Sequence, residues 1–480
     1  MKPPVLTDGL VVVVKRECAT CRLVAPVLAQ LRRAGMTVTV YSQDDPAFPE
    51  ETDGALDDRD LAVSWHLDLD TVPTLLRVEA GAETARTVGW HRQRWEDVSG
   101  IGGLGPDLPE SRPGCGSLSV DPDRADDLAV RFGGSVLRSR RVELATLEDE
   151  VEALFDRGWT DGLPVVAPTE GRVLRMLAGT TRAPDELVAV VPPDLVECTV
   201  EKVAVNAVMA GCRPEYLPVV LAALEAACTD DFNIHGLLAT TMPVGPVLVV
   251  NGPIRRRIGM NSGVNALGQG NRANLTIGRA LQLVIRNVGG GRPGEIDRAT
   301  HGNPGKVGFC FAEDEEGSPW ESLSVEHGYS SDESTVTLFP GEGPRGVVDQ
   351  LSRTPESLAA SIAACLRTVQ HPKLPLAFDT LLVVSPEHGR VFHDAGWDKD
   401  RLRTELAGHL QLHGVDIVRG AHGIAEGVPA GLEGATLPKF RDGGLLIVHA
   451  GGGAGLFSTI IGGWVNGATG SNPVTGPIRD

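Results

Sequence analysis

The sequence predicts an α/β protein in which a small first domain is fused to a larger α/β body of two lobes. Short β-branched runs recur between stretches of helical spacing, as in Leu10–Val14, Pro246–Val250, Leu381–Val384 and Leu445–Val448. The 480 residues are 42% hydrophobic and 22% charged, an ordinary globular composition with room for domains of roughly 100–200 residues each. A glycine- and proline-rich stretch between 100 and 123 reads as a joint. The expected division is therefore a first domain over 1–100, a joint over 101–143 carrying Cys115, and a body over 144–480. A lobe boundary is expected near 330–375.

The net charge of −19 argues against nucleic acid or anionic membrane as the main partner. No apolar run reaches the ~18 residues of a bilayer-spanning helix. The start, Met1-Lys2-Pro3-Pro4, runs into a strand without a signal peptide, so the expected location is cytoplasmic. Eight cysteines are too few for a disulfide framework in this length, and only Cys18 and Cys21 are close in sequence. In a reducing compartment that pair is redox-active or metal-binding, and most of the others are buried thiols. Among those, Cys212 lies in a tight interhelical turn and is expected to be exposed.

Leu10 to Val14 reads as a buried strand. Cys18-Ala19-Thr20-Cys21 follows, and helical spacing continues through Leu23, Val24, Val27, Leu28 and Leu31. The first cysteine thus sits at a strand end and the second in the first turn of a helix. Free N–H groups and the positive end of the helix dipole favour thiolate there. Lys15, Arg16 and Arg22 add positive charge, and Glu17 opposes it. Strands are expected at Met36–Tyr41, Leu75–Val78 and Arg86–Trp90.

This order of strand, CxxC, helix, strand, helix and a Val72-Pro73-Thr74 step before a hairpin resembles the thioredoxin fold over roughly residues 5–100. The resemblance implies that Pro73 is cis and lies beside the reactive disulfide, where substrate binds. It also implies that Cys18 attacks and Cys21 resolves. Glu17 and Ala19-Thr20 replace the family's usual Trp and Gly-Pro, which bears on redox potential and partner choice. A zinc site from this CxxC needs two further ligands, and the sequence has no second CxxC.

In the joint, Cys115 lies between Gly114 and Gly116, where backbone approaches closely. Cys115-Gly116-Ser117 resembles three of the four positions of the (seleno)proteins named for a Sec/Cys-Gly-Ser-Cys motif, whose first position is the reactive one. Leu118 stands where that motif has its last cysteine. The resemblance implies that Cys115 exchanges with Cys18 and Cys21, or is the nucleophile acting on a small substrate bound near 261–274 and 301–313.

In the body, Leu147, Val151, Leu154 and Phe155 have helical spacing, and Trp159–Val166 reads as a turn and short strand. Helices are expected around Val200–Met209 and Pro214–Ala227, split at Gly211. Polar residues concentrate over 231–316. Gly268-Gln269-Gly270-Asn271-Arg272-Ala273-Asn274 opens a helix, a place where amides bind a carboxylate or phosphate, although helix capping by Asn271 and close packing at Gly278 explain the same residues. No Walker or dinucleotide fingerprint is present. Asn251, Asn265, Asn271, Arg272, Asn274 and Lys306 are the substrate-binding candidates. His235, His301 and Glu313 are candidates for acid–base work, and with His327 they are the candidate metal ligands. Ser385–Gly389 and His449–Gly455 each follow a strand, and Ser458 is expected to begin a helix or turn.

The leading expectation is a thiol-dependent oxidoreductase or thiol-transfer enzyme acting on a small polar metabolite. Its cofactor is a redox-active disulfide, its reductant an external thiol, and its assembly a homo-oligomer. One alternative is a lyase, hydrolase or sulfur-transfer enzyme using a metal ion or a His/Glu pair. Another is a non-enzymatic soft-metal or redox-sensing thiol protein.

Overall fold

The structure is a computed structural model, and it describes residues 6–134, 137–144, 148–464 and 470–480. Leu147 and the start Met1–Pro4 lie outside the described residues. The fold is mixed α/β, and the chain divides into two compact units. One comprises Met1–Val136 with Glu170–Leu174, the other Leu137–Thr169 with Arg175–Asp480. No helix among the described residues is long and apolar enough to cross a membrane.

In the first unit, β1 (Gly9–Val14) is the middle of a five-stranded sheet. It pairs parallel with β2 (Val38–Ser42), which pairs parallel with β3 (Leu56–Asp57). After α2 (Ala62–His66) and the two-residue β4 (Thr71–Val72), β5 (Thr74–Glu79) returns antiparallel on the other side of β1, and β6 (Ala82–Val88) completes the edge. Val11 to Val14 are fully buried, as a β-branched strand covered on both faces must be. Between β1 and β2 runs α1 (Ala19–Arg33), whose Val24, Val27, Leu28 and Leu31 pack onto Val12 and Val14. The Val72–Pro73 peptide is cis.

The stretch expected to be a joint is packed onto this unit. β7 (Trp90–His91) and α3 (Arg92–Ser99) lead into it, and β8 (Ser111–Arg112) pairs with β7. β9 (Cys115–Gly116) pairs antiparallel with β4, Val72 opposite Cys115. Leu104 is fully buried, and the Trp90 indole donates to the Pro109 carbonyl at 2.7 Å. α4 (Pro122–Phe132), capped by Asp121, sets Leu128 and Phe132 against Leu61. At Gly105 and Gly114 an added Cβ would stand 2.8 Å from Leu108 Cδ1 and 2.4 Å from Thr71 Cγ2, so these two glycines serve close packing.

The second unit carries two four-stranded sheets. In the first, the strand Gly245–Asn251 lies between Phe309–Ala312 and Thr335–Gly341, with Val474–Pro477 at the edge. In the second, Phe457–Gly462 and Thr380–Val384 are central, flanked by Arg345–Val348 and Leu445–His449. The sheets share a core in which Val247, Val249, Phe309 and Phe339 meet Leu381, Val383, Leu446 and Ile461. Ser458 therefore stands in a strand and not at a helix start, and Leu163–Val166 forms no ladder. Gly211 ends the helix Val200–Ala210 in the left-handed conformation (φ 88°). Cys212, beyond it, is buried with its thiol on the Thr276 carbonyl at 3.3 Å, so the tight turn does not expose it.

Candidate active site

Three cysteines meet at the start of α1. Cys18 is the N-cap, and its sulfur accepts from the Cys21 backbone N–H at 3.4 Å. The same sulfur lies 3.5 Å from the Val72 carbonyl oxygen, and the Cys21 and Cys115 thiols are the neighbouring side chains that favour its anion. Cys115 reaches it because β9 pairs with β4, and the Cys115 sulfur in turn faces the backbone N–H groups of Thr20 and Ala19. Cys18 and Cys21 are fully buried, while Cys115 is half-buried. Buried Pro73 adjoins this ladder. All eight cysteines are unbridged.

The electrostatics separate the three thiols. Hydrogen bonding from the Cys21 thiol, working against desolvation and helped by Cys115 and by the amides of Cys21 and Thr20, lowers Cys18 to about 5. Burial, followed by donation to Cys18, pushes Cys21 up. Burial and the same kind of donation push Cys115 up as well. Elsewhere burial pushes Cys198, Cys212 and Cys228 up to about 12, which makes them inert thiols. Two of the nearby cations are engaged with other partners. Lys15 Nζ donates to the Gly116 carbonyl at 2.7 Å, and Arg16 pairs with Asp45 at 2.6 Å and Glu50 at 2.9 Å. Hydrogen-bond donors thus lead in holding the thiolate.

No protein-family model, curated protein or solved structure matches this chain.

In the second unit, Asn251 and Glu313 come together. Glu313 is fully buried, and its carboxylate accepts from Asn251 Nδ2 at 2.7 Å and from the Leu323 amide at 2.8 Å. The His449 amide lies 3.4 Å away, and the Lys399 ammonium 3.8 Å. Lys399 also binds Glu326 at 2.7 Å, and Arg403 holds Glu326 at 2.8 Å. These partners tie together loops from both sheets. Burial still dominates and pushes the Glu313 carboxyl up. Lys399 and Arg403 lie in the wall of a recess of about 940 Å³ beside Trp320 and Trp397.

The other predicted residues do not join Glu313. His235 and His301 are exposed, and His327 is exposed with Nδ1 on the Thr475 hydroxyl at 2.6 Å. Among the described residues no group of three His, Cys, Asp or Glu side chains is set to hold a metal ion. Asn271 caps the helix Arg272–Asn287 through the Asn274 amide at 3.0 Å. Buried Asn274 ties down the loop before it by bonding the Asn261 and Ala266 carbonyls, and Arg272 Nε donates to Gly211 O at 2.9 Å. Lys306 pairs with Asp297 at 2.7 Å. Asn251, Asn271, Arg272, Asn274 and Lys306, read as ligand-facing, thus hold backbone or carboxylates of the protein itself. Close packing accounts for Gly278, where a Cβ would stand 2.8 Å from the Phe309 nitrogen.

The segments after the two parallel strands do converge. Asn265, Gly268, Ser385, Gly451 and Gly452 line a recess of about 480 Å³ at the carboxyl ends of Thr380–Val384 and Leu445–His449. Ser458 also lines it, and its hydroxyl lies 2.8 Å from His388 Nδ1, whose Nε2 faces the Asp349 carbonyl at 3.0 Å. His388 is fully buried and Ser458 is 3% exposed. Sequence reasoning missed Lys399, and it named Ser385–Gly389 and Ser458 without pairing Ser458 with His388. Lys399 sits in an unremarkable Asp-Lys-Asp, and Ser458 in a run read as turn, so neither carries a local signal.

Proposed function

We propose that the protein is a thiol–disulfide oxidoreductase whose first unit is a thioredoxin-like module with Cys115 as a third working thiol. The observation that carries this reading is Cys18 at a helix N-cap, its thiol lowered to about 5, with Cys21 in the same first turn and Cys115 brought beside it by the pairing of β9 with β4. The sheet order, the CxxC at the start of α1 and Pro73 after Val72 support the fold assignment. The Cys18 thiolate attacks a disulfide sulfur, the substrate's own or that of a mixed disulfide already carried by Cys115, forming a new disulfide and releasing the other half as thiolate. Cys21 gives up its proton, attacks the Cys18 sulfur and expels the second half. The chain is then left with a Cys18–Cys21 disulfide, two electrons having passed to the substrate. An external thiol reductant restores the pair. The His/Glu and metal alternatives gain no support, because His235, His301 and Glu313 do not share partners.

Mass-spectrometric mapping of thiols after mild oxidation tests this. The wild type is expected to yield Cys18–Cys21, a Cys21→Ser variant to trap Cys18–Cys115, and Cys18→Ser to lose all disulfide turnover. A Cys115 that stays free in Cys21→Ser, with nothing trapped on Cys18, removes the three-thiol relay. Retained turnover in Cys18→Ser overturns the reading as a whole.

A further inference from the structure

The reactive thiol is closed off by this chain's own segment 112–117. Of the three thiols only Cys115 has exposed surface, since Cys18 and Cys21 have none. The covering segment is fastened along its length. The Thr20 hydroxyl donates to the Pro113 carbonyl at 2.6 Å, and the Lys15 ammonium to the Gly116 carbonyl at 2.7 Å. Buried Gln43 donates to the Ser117 hydroxyl at 2.6 Å, and the Ser117 amide bonds the Asp70 carbonyl at 2.9 Å. The seat is tight. A Cβ at Gly114 would stand 2.4 Å from Thr71 Cγ2 and 2.7 Å from the Val72 oxygen, closer than side-chain atoms approach.

A polypeptide that docks by strand addition needs a free backbone edge, because its affinity comes from main-chain hydrogen bonds. The edge next to Cys18 is Thr71–Val72, and β9 occupies it, with Val72 opposite Cys115. The occupant also carries a sulfur at the place where an incoming disulfide would lie. Resting on the thiol–disulfide reading above, we infer that segment 112–117 is a resident strand that excludes polypeptide disulfides from Cys18. The external substrate is then a low-molecular-weight disulfide, RSSR, that reacts at Cys115.

The steps balance. Cys115 attacks RSSR, forming Cys115–S–S–R, and its proton leaves with the first RS⁻ as RSH. The Cys18 thiolate, whose sulfur lies beside Val72 opposite Cys115, attacks the Cys115 sulfur and releases the second RS⁻. Cys21 then attacks the Cys18 sulfur, its proton goes to that second RS⁻, and Cys115 is regenerated as thiolate. One RSSR becomes two RSH while Cys18 and Cys21 become a disulfide.

Single turnover of the pre-reduced full chain tests this, with bis(2-hydroxyethyl) disulfide as small probe and insulin as polypeptide probe, followed by loss of protein thiols. The wild type is expected to react with the small disulfide and not with insulin. Cys115→Ser is expected to lose reaction with the small disulfide. Gly114→Val and the gentler pair Lys15→Ala and Thr20→Val loosen the segment and are expected to gain reaction with insulin. A wild type that reduces insulin as fast as the small disulfide overturns the inference, as does a Cys115→Ser variant that keeps the small-disulfide rate. In both cases a Cys18–Cys21 disulfide still forms, so the oxidoreductase reading survives. Absence of that disulfide with every probe and variant overturns that reading and this inference together.

Discussion

Cys18 and Glu313 are both acids without exposed surface, yet their environments drive them in opposite directions. Burial wins at Glu313 and raises it, although its carboxylate has an amide side chain, two backbone N–H groups and an ammonium around it. At Cys18 the donors win and lower it. The donors also differ in kind. Those of Glu313 are fixed groups that have no further chemistry, so the cluster joins loops of two sheets. Two of the donors to Cys18 are thiols, each able to become the next nucleophile once its proton has gone. On the proposed reading, a buried acid whose partners can themselves react serves as a relay, whereas one with inert partners serves as a fastening.

The largest effect that sharpens this contrast is expected on the Glu313 side, and it falls on stability. Glu313→Ala removes the acceptor of Asn251 and the Leu323 amide and leaves Lys399 with less counter-charge at a nearly dry position. Breaking a buried charged cluster from one side typically costs about 3–5 kcal/mol. The urea midpoint, followed by circular dichroism, is expected to drop accordingly, while thiol titration in the first unit stays unchanged. A midpoint equal to wild type means that the cluster fastens nothing.

A smaller effect is expected on the thiol side and depends on pH. Thiolate absorbance at 240 nm should rise with a midpoint of about 5 and be missing in Cys18→Ser. Cys115→Ala takes away one donor to the thiolate, so the midpoint should move up. The sign for stability follows from the same shift. Cys18 is lowered in the fold from its ordinary 9.0, so between about 5 and 9 the folded chain has released a proton that the unfolded chain keeps. Its contribution is complete above 9 and is lost as pH falls through 5. Cys21 is shifted the other way, so above its ordinary 9.0 it works against the fold. A Cys18 midpoint near 9 would make the two buried acids alike and dissolve the contrast.

Much of the first unit was legible because its signals are local. The run Leu10–Val14, the spacing of Val24, Val27, Leu28 and Leu31, and a cysteine directly before the helix each depend on neighbours in sequence. The mixed α/β class followed from the same kind of run in Gly245–Asn251, Thr380–Val384 and Leu445–His449. What escaped depends on distant partners. A stretch of glycine and proline reads as a linker until Val72 is seen opposite Cys115. Asn271 and Asn274 have the composition of an anion site, and only the loop they hold reveals capping and closure. Asn251 and Glu313 were both singled out, but Lys399, which completes their cluster, carries no pattern of its own.

The smallest expected effects concern the histidines and bear most directly on where the chemistry lies. His235 and His301 were natural companions for Glu313 in an acid–base set, since each stands in a polar, glycine-bearing segment. In the structure both are exposed, and the groups that bond Glu313 are Asn251, Leu323 and His449, with Lys399 close by. Exposed positions without such ties change stability by within ~0.5 kcal/mol on substitution. His301→Ala and His235→Ala are therefore expected to keep the urea midpoint and the single-turnover rate of the thiols. If His301→Ala instead loses turnover while Cys18 still titrates near 5, bond chemistry belongs to the second unit. The thiol cluster would then be an accessory to it, and the comparison between the two buried acids would have to be drawn the other way round.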